Sequence, residues 1–299
     1  MEKEEARMAK KLSLPGEQIP GTNIRVLNPD RLAKVLARAI LRIFFDTDGT
    51  ISLLREGWQS VMGPLMVEEI IGEAEVDDLT RKAIEKAVWQ YIDKSTGINT
   101  ILQMEELAGM VGHYGFVPQE FIMNAQQYKG VYNERLMKSV RQRIELVEFG
   151  SLPVDQVTVY RAIDFCQRAA QLAKLHIFSG TDHDDVVNEL RVLGALGYFT
   201  SVHGALREYK DQNKETVLRK AMAEFGLDGS QLAVIGDGPV ELRVGTEAGC
   251  LTIGVLSDEK TGRGWNLEKL ERLEPYADVI IPDFGSFPTL MSRVLKIAA

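Results

Sequence analysis

Leu41-Arg42-Ile43-Phe44-Phe45-Asp46-Thr47-Asp48-Gly49-Thr50 is the stretch that decides how this chain folds. Residues 41–45 are short, apolar, β-branched and aromatic, which is the composition of a buried strand. Asp46 to Thr50 ends that strand abruptly with two carboxylates, two threonines and a glycine. By itself Asp48-Gly49 after an apolar run would also suit a hairpin turn. The flanking sequence decides between the two readings.

Downstream, residues 53–163 change period. Val61, Met62, Leu65, Met66 and Ile70 recur at helical spacing, as do Leu79, Ile84, Val88, Tyr91 and Ile92, and later Leu136, Val140, Ile144 and Val147. No strand pattern interrupts them, and Gly97, Gly112 to Gly115 and Pro118 mark the breaks between helices. Beyond 163 helix and strand alternate. Helix 162–172 precedes the strand Leu175-His176-Ile177-Phe178, and a helix begins near Asp182. A weak strand at 198–202 and a helix at 214–225 lead to Leu232-Ala233-Val234-Ile235, then to Leu251–Val255 and Val279–Ile281. Such alternation predicts βαβ units in a mainly parallel sheet covered on both faces. Upstream, residues 1–40 read as a charged helix, a Pro/Gly loop and a second helix opening at Asp30. The expected fold is therefore α/β. A Rossmann-like core (41–52 and 164–299) is interrupted after its first strand by an all-helical cap (53–163), and a helical extension (1–40) precedes it.

A length of 299 residues suits one large domain or two. Charge of −8 argues against nucleic acid or an anionic membrane as a partner. The charged start, Met1 to Glu5, leads into no apolar signal region, and no run approaches the roughly 20 apolar residues of a membrane span. Cys166 and Cys250 sit in apolar segments and read as reduced core thiols. A cytoplasmic location follows as the expectation.

Ligands of open α/β sheets bind at the C-terminal ends of the strands. Three predicted strands end there in polar groups: Asp46 to Thr50, Ser179-Gly180-Thr181, and Gly236-Asp237-Gly238-Pro239-Val240-Glu241. Lys214 opens the helix before the third of these strands. Singly, each has a plain structural reading: Ser179 to Thr181 as a helix cap, Lys214 as a solvated lysine, Asp237 and Glu241 as turn and first-turn residues.

Together and in this order they resemble the haloacid dehalogenase-like superfamily. Asp46-Thr47-Asp48-Gly49-Thr50 is similar to its first motif, Ser179 to the second, Lys214 to the third, and Gly236-Asp237 with Glu241 to the fourth. The resemblance implies a phosphatase acting on a small phosphorylated metabolite. Asp46 would attack phosphorus as a nucleophile. Asp48, two residues on and on the same side of an extended segment, would act as general acid and base. Mg²⁺ would be held by Asp46, Asp237 and the Asp48 carbonyl, with Glu241 reaching it directly or through water, its length departing from the Asp often found there. Ser179 and the amides of Thr47, Asp48 and Gly180 would bind phosphate oxygens, with Lys214 as the fixed cation and Lys210 as a nearby competitor for that role.

In the cap, Asp93 to Thr100 running into Gln103 is the loop whose hydroxyls and amide suit a sugar or polyol; Thr96, Thr100 and Gln103 are the candidate specificity residues, although an ordinary interhelix loop reads the same way. Trp58 and Trp89 read as core aromatics, and no pair of the four histidines has zinc spacing. A phosphomutase shares the nucleophile, metal and cap. Dehalogenation would leave Asp48 without a task, and phosphonate cleavage would want a cap lysine such as Lys82, Lys86 or Lys94. A binding protein without turnover on this fold is the alternative from another class.

Overall fold

The computed structural model describes residues 14–35, 39–205 and 213–297. The charged helix expected at the N-terminus and Lys210 lie outside these residues. An eight-stranded sheet forms the centre, in the order β1-β2-β8-β7-β6-β3-β4-β5. Its strands are β1 (Glu17–Gln18), β2 (Arg25–Val26), β3 (Arg42–Phe45), β4 (Lys174–Asp182), β5 (Phe199–Ala205), β6 (Leu232–Gly236), β7 (Leu251–Val255) and β8 (Val279–Ile281). From β8 to β5 every pairing is parallel. Central β3 lies between β6 and β4, with Phe45 level with Ile235 and Ile177. Ile43, Phe44 and Phe45 are fully buried, because helices cover both faces of a parallel sheet and leave a strand no polar side.

The N-terminal segment differs from expectation. Among the described residues α1 (Pro29–Val35) is the expected second helix, but residues 17–26 make a hairpin whose second strand pairs antiparallel with β8. Strands of two residues are too short to show alternation in sequence, and this pair is fixed by docking, with Ile24 buried in the main core.

Between β3 and β4 the chain makes four long helices: α2 (Trp58–Ile71), α3 (Asp78–Ser95), α4 (Thr100–Tyr114) and α5 (Ala125–Glu148). Most residues spaced for a helical face, among them Met62, Leu65, Ile84, Val88, Leu136 and Val140, are buried, whereas Leu79 in the first turn of α3 is 81% exposed. Asp77, Asn99 and Asn124 cap α3, α4 and α5 through their side chains. Of the expected breaks, Gly97 and Gly115 lie between or at the ends of helices, whereas Gly112 is inside α4. The chain leaves and re-enters the sheet side by side. The Leu53 amide donates to the Val157 carbonyl at 2.8 Å and the Val159 amide to Ile51 at 3.0 Å. Arg143 of α5 clasps this crossing by donating to the carbonyls of Leu54 and Glu56. No helix among the described residues is long and apolar enough to cross a membrane.

The remaining α-helices among the described residues are α6 (Ala162–Ala169), α7 (His183–Val192), α8 (Lys214–Phe225), α9 (Pro239–Glu247), α10 (Leu267–Leu273) and α11 (Phe287–Thr289), the last running into a π-helical turn at Leu290–Leu295. Sequence patterning placed most of these within a few residues. The patterning marks neither α10 nor α11, and β4 runs on past Phe178 through Ser179-Gly180-Thr181 to Asp182.

One core group bears on stability. His176 of β4 stacks on Phe44 at 4.7 Å between ring centres, and its Nε2 faces the Arg42 guanidinium at 3.0 Å. Burial first, then the charges of Arg42 and His203, push its pKa from 6.5 down to about 4. The folded form thus binds this proton less readily than the unfolded chain. Its contribution to stability is full above about pH 6.5 and is lost as the pH falls toward about 4. His176→Gln is expected to flatten the urea midpoint across that window. An undiminished slope in the variant rejects the assignment.

Candidate active site

The polar strand ends meet at one place. Asp46 follows β3 directly, its amide donating to the Ile235 carbonyl at 3.0 Å, so the carboxylate stands at the C-terminal edge of the sheet. The chain then turns through Gly49 at φ 69°, where an added Cβ would overlap the Asp237 carboxylate. Both the positive φ and this close approach require glycine. Asp237 follows β6, the neighbouring strand, and its Oδ1 lies 3.4 Å from the Thr50 hydroxyl.

Lys214 is delivered by a helix start. Asn213 caps α8 by accepting from the Thr216 amide at 2.9 Å, which makes Lys214 the first helical residue. Only 5% exposed, its Nζ lies 3.1 Å from Asp46 Oδ2 and 2.9 Å from Glu241 Oε2. Glu241 is held in turn, its Oε1 accepting from the Gly238 amide at the start of α9. A buried ladder, Asp46–Lys214–Glu241, results.

Asp48 is held differently. Its Oδ2 accepts from the Thr181 hydroxyl at 2.7 Å, while its buried Oδ1 has no hydrogen-bond partner and lies 4.0 Å from Arg55 Nε. Burial raises its pKa, against the opposing pull of Arg55 and Thr181. Asp46 is raised well above the usual carboxylate range by burial, despite Lys214, with the charges of Glu241, Asp237 and Asp48 adding to the rise. Carboxylates outnumber cations here, so the site calls for more positive charge than its lysines supply.

Asp46, Asp237 and Glu241 can each offer an oxygen, all within 4.8 Å of one another and all buried. A purely carboxylate donor set of this size suits a hard cation such as Mg²⁺, which takes oxygen ligands and keeps waters. The residues therefore fit the ion. Lysines also pair with all three: Lys214 as above, and Lys269 of α10, whose Nζ lies 2.7 Å from Asp237 and 2.9 Å from Glu259.

The helical insertion closes over this edge. The loop between α3 and α4 approaches so closely that a Cβ on Gly97 (φ 89°) would lie 2.7 Å from Glu241 Oε2, and one on Gly180 would overlap the Ile98 carbonyl. Beneath it is a cavity of about 70 Å³. Asp46, Asp48, Ser179, Gly180 and Asp237 line its floor, and Thr96, Thr100 and Gln103 its roof. Gln103 donates to the Ser95 hydroxyl at 3.1 Å, which braces the loop. Thr47, Lys214 and Glu241 stand behind this lining; the Thr47 side chain is buried with its Oγ1 unpartnered.

Of the two tryptophans read as core, Trp58 lines the cavity and Trp89 is 41% exposed, packed against Gly63. No lysine is among the described residues lining the cavity, which leaves a Schiff base no partner among Lys82, Lys86 and Lys94. Sequence reasoning missed Arg55, Tyr132, Glu259 and Lys269, and did not single out Thr181. The strand-end rule applied to β7 would have pointed at the Ser257-Asp258-Glu259 turn. Nothing local marks the others.

Fold and site together are those of a hydrolase. The chain belongs to the haloacid dehalogenase-like hydrolases, whose family profile matches residues 40–249. No curated protein sequence matches it. Among solved structures, a predicted phosphoglycolate phosphatase from Haemophilus somnus is similar at 14% identity and TM-score 0.54, covering 84% of this chain and 97% of that one. A β-phosphoglucomutase from Clostridium difficile matches at 14% identity and TM-score 0.52, over 83% and 92%. A predicted phosphatase from Clostridium acetobutylicum matches at 15% and 0.51, over 84% and 97%. At such identities the likeness speaks to the fold alone.

Proposed function

We propose that the protein is a Mg²⁺-dependent phosphomonoester hydrolase that acts on a small phosphorylated metabolite through an aspartyl-phosphate, with residues 53–163 as the cap and 41–52 with 164–299 as the catalytic core. The observation that carries this reading is the pair Asp46 and Asp48 at one strand end, with different surroundings. Asp46 is paired with the buried Lys214 ammonium at 3.1 Å, which favours its ionised, nucleophilic form against the effect of burial; Asp48 accepts from Thr181 and presents one unbonded oxygen, from which a proton can be passed to a leaving group.

In the first step an Asp46 oxygen bonds to phosphorus and the bond to the leaving oxygen breaks, while Asp48 gives that oxygen its proton. In the second, Asp48 takes a proton from water, the water oxygen bonds to phosphorus, and the bond to Asp46 breaks to release phosphate. Ser179 with the amides of Thr47, Asp48 and Gly180 would bind the phosphoryl oxygens, and Lys214 would offset their charge throughout. Mg²⁺, held by Asp46, Asp237 and the Asp48 carbonyl with Glu241 close by, would neutralise charge between the attacking carboxylate and the phosphate. The loop carrying Thr96 and Thr100, with Gln103, would meet the leaving group and exclude water. Two buried free thiols suit a reducing cytoplasm.

The test is phosphate release from p-nitrophenyl phosphate with Mg²⁺ and with EDTA. Turnover that EDTA abolishes supports the reading; none with Mg²⁺ for this ester or a panel of sugar phosphates ends it. Asp48→Asn is expected to lower kcat on an alkyl phosphate by about 10²–10⁴-fold. The loss in the bond-breaking step should be smaller with p-nitrophenyl phosphate, whose leaving group needs no proton. Equal single-turnover losses on both esters would remove Asp48 from the role of acid.

A further inference from the structure

The leaving-group side of the cavity carries one basic residue among those described, Arg55, together with Trp58, Thr100, Gln103, Tyr132 and Leu136. Arg55 is itself already compensated in charge. From the start of the insertion it reaches back to α7 of the sheet domain, where its Nε donates to Glu189 at 2.8 Å and its Nη2 to Asp185 at 2.9 Å. Asp48 stands 4.0 Å away on the cavity side. Three carboxylates surround one guanidinium. Burial raises the pKa of Glu189, and the Arg55 guanidinium at 2.8 Å opposes that rise and favours the charged carboxylate.

The other cations near the cavity are compensated too: Lys214 by Asp46 and Glu241, and Lys269 by Asp237 and Glu259. Asp46, Asp48, Asp237 and Glu259 all line the space itself. A substrate with a carboxylate or second phosphate beyond the reacting group would bring that charge among acids, with no spare cation among the described residues to meet it. Burying an unpaired charge is costly. An uncharged hydroxylated group meets no such penalty. Two of Arg55's five N–H donors are spent on Glu189 and Asp185, which leaves others for hydroxyl oxygens. Trp58 and Tyr132 offer apolar ring faces for C–H groups. The space, about 70 Å³, is far below the ~300–1,000 Å³ of sites for drug-sized ligands.

We propose that Arg55, neutralised from behind by Glu189 and Asp185, is a specificity-determining residue that restricts the enzyme to phosphomonoesters of small, uncharged, hydroxylated leaving groups. The inference rests on the hydrolase reading above. It disfavours carboxylate-tailed esters and the bisphosphates that a mutase cycle handles.

The experiment compares kcat/KM for glycerol 1-phosphate and a hexose 6-phosphate with that for 2-phosphoglycolate and a hexose 1,6-bisphosphate, with p-nitrophenyl phosphate as reference. At least one neutral-tailed ester is expected to exceed both charged ones by about tenfold or more. Asp185→Asn and Glu189→Gln uncover the guanidinium and should raise 2-phosphoglycolate relative to the reference by about tenfold. Asp185 is half-buried, so its variant keeps the test open if the Glu189 variant does not fold. A wild-type preference for either charged ester, with p-nitrophenyl phosphate still turned over, overturns the proposal and leaves the hydrolase standing. Unmoved ratios in folded variants overturn the role of Arg55. No turnover of any ester overturns both.

Discussion

Asp46→Asn is expected to abolish turnover, with kcat falling by at least about 10⁴-fold, while the protein stays folded. An amide has no charged oxygen with which to attack phosphorus, yet it matches the carboxylate in shape. Its oxygen can still accept from Lys214, which also keeps Glu241 at 2.9 Å. The variant therefore leaves no buried cation unpaired, and its melting temperature should move by only a few degrees. Acid quenching during turnover of a ³²P-labelled ester separates the possibilities further. Wild type should retain label on the protein as an acyl phosphate, and the variant none. Activity within about tenfold of wild type would remove Asp46 as the nucleophile and, with it, the covalent route.

The second large effect is expected at Lys269. Its ammonium, 3% exposed, bridges Asp237 and Glu259, so Lys269→Met leaves two buried carboxylates facing each other. Removing one partner of a buried ion pair typically costs about 3–5 kcal/mol. At roughly 2–4 °C per kcal/mol for a chain of this class, the metal-free variant should melt at least about 6 °C lower. Mg²⁺ should act in the opposite direction. In wild type the ion competes with Lys269 for Asp237; in the variant that competitor is gone and the carboxylates are in excess. The rise in melting temperature with millimolar Mg²⁺ should therefore be larger in Lys269→Met than in wild type, in the manner of any ligand that binds the folded state. Titration calorimetry with the metal alone checks this without reference to turnover. An equal or smaller Mg²⁺ response would mean that Lys269 does not compete for the metal site.

Much of the architecture was legible in the sequence because it is written locally. A strand buried on both faces must be apolar throughout, so its end is marked by the first polar residues, and in this fold those residues form the site. Asp46 after Phe45 and Asp237 after Gly236 could be read for that reason. The insertion between β3 and β4 was readable because three apolar runs at helical spacing, 61–70, 79–92 and 136–147, follow one another with no strand pattern between them. The hairpin at 17–26 was not: two-residue strands hold no period, and what fixes them is the partner edge at Val279 and Ile280.

The compensation of charge was equally hidden. Arg55 meets Glu189 from 134 residues away, and Lys269 meets Asp237 from 32. In the sequence these are ordinary charged residues on amphipathic or polar segments. Only the folded chain shows which buried cation faces which carboxylate, because a desolvated charge must find its partner in space and no rule of spacing says where along the chain that partner lies. The sequence by itself thus determined the sheet, the insertion and the acidic strand ends. The tertiary structure decided how those acids are balanced, and so what the cavity above them is built to accept.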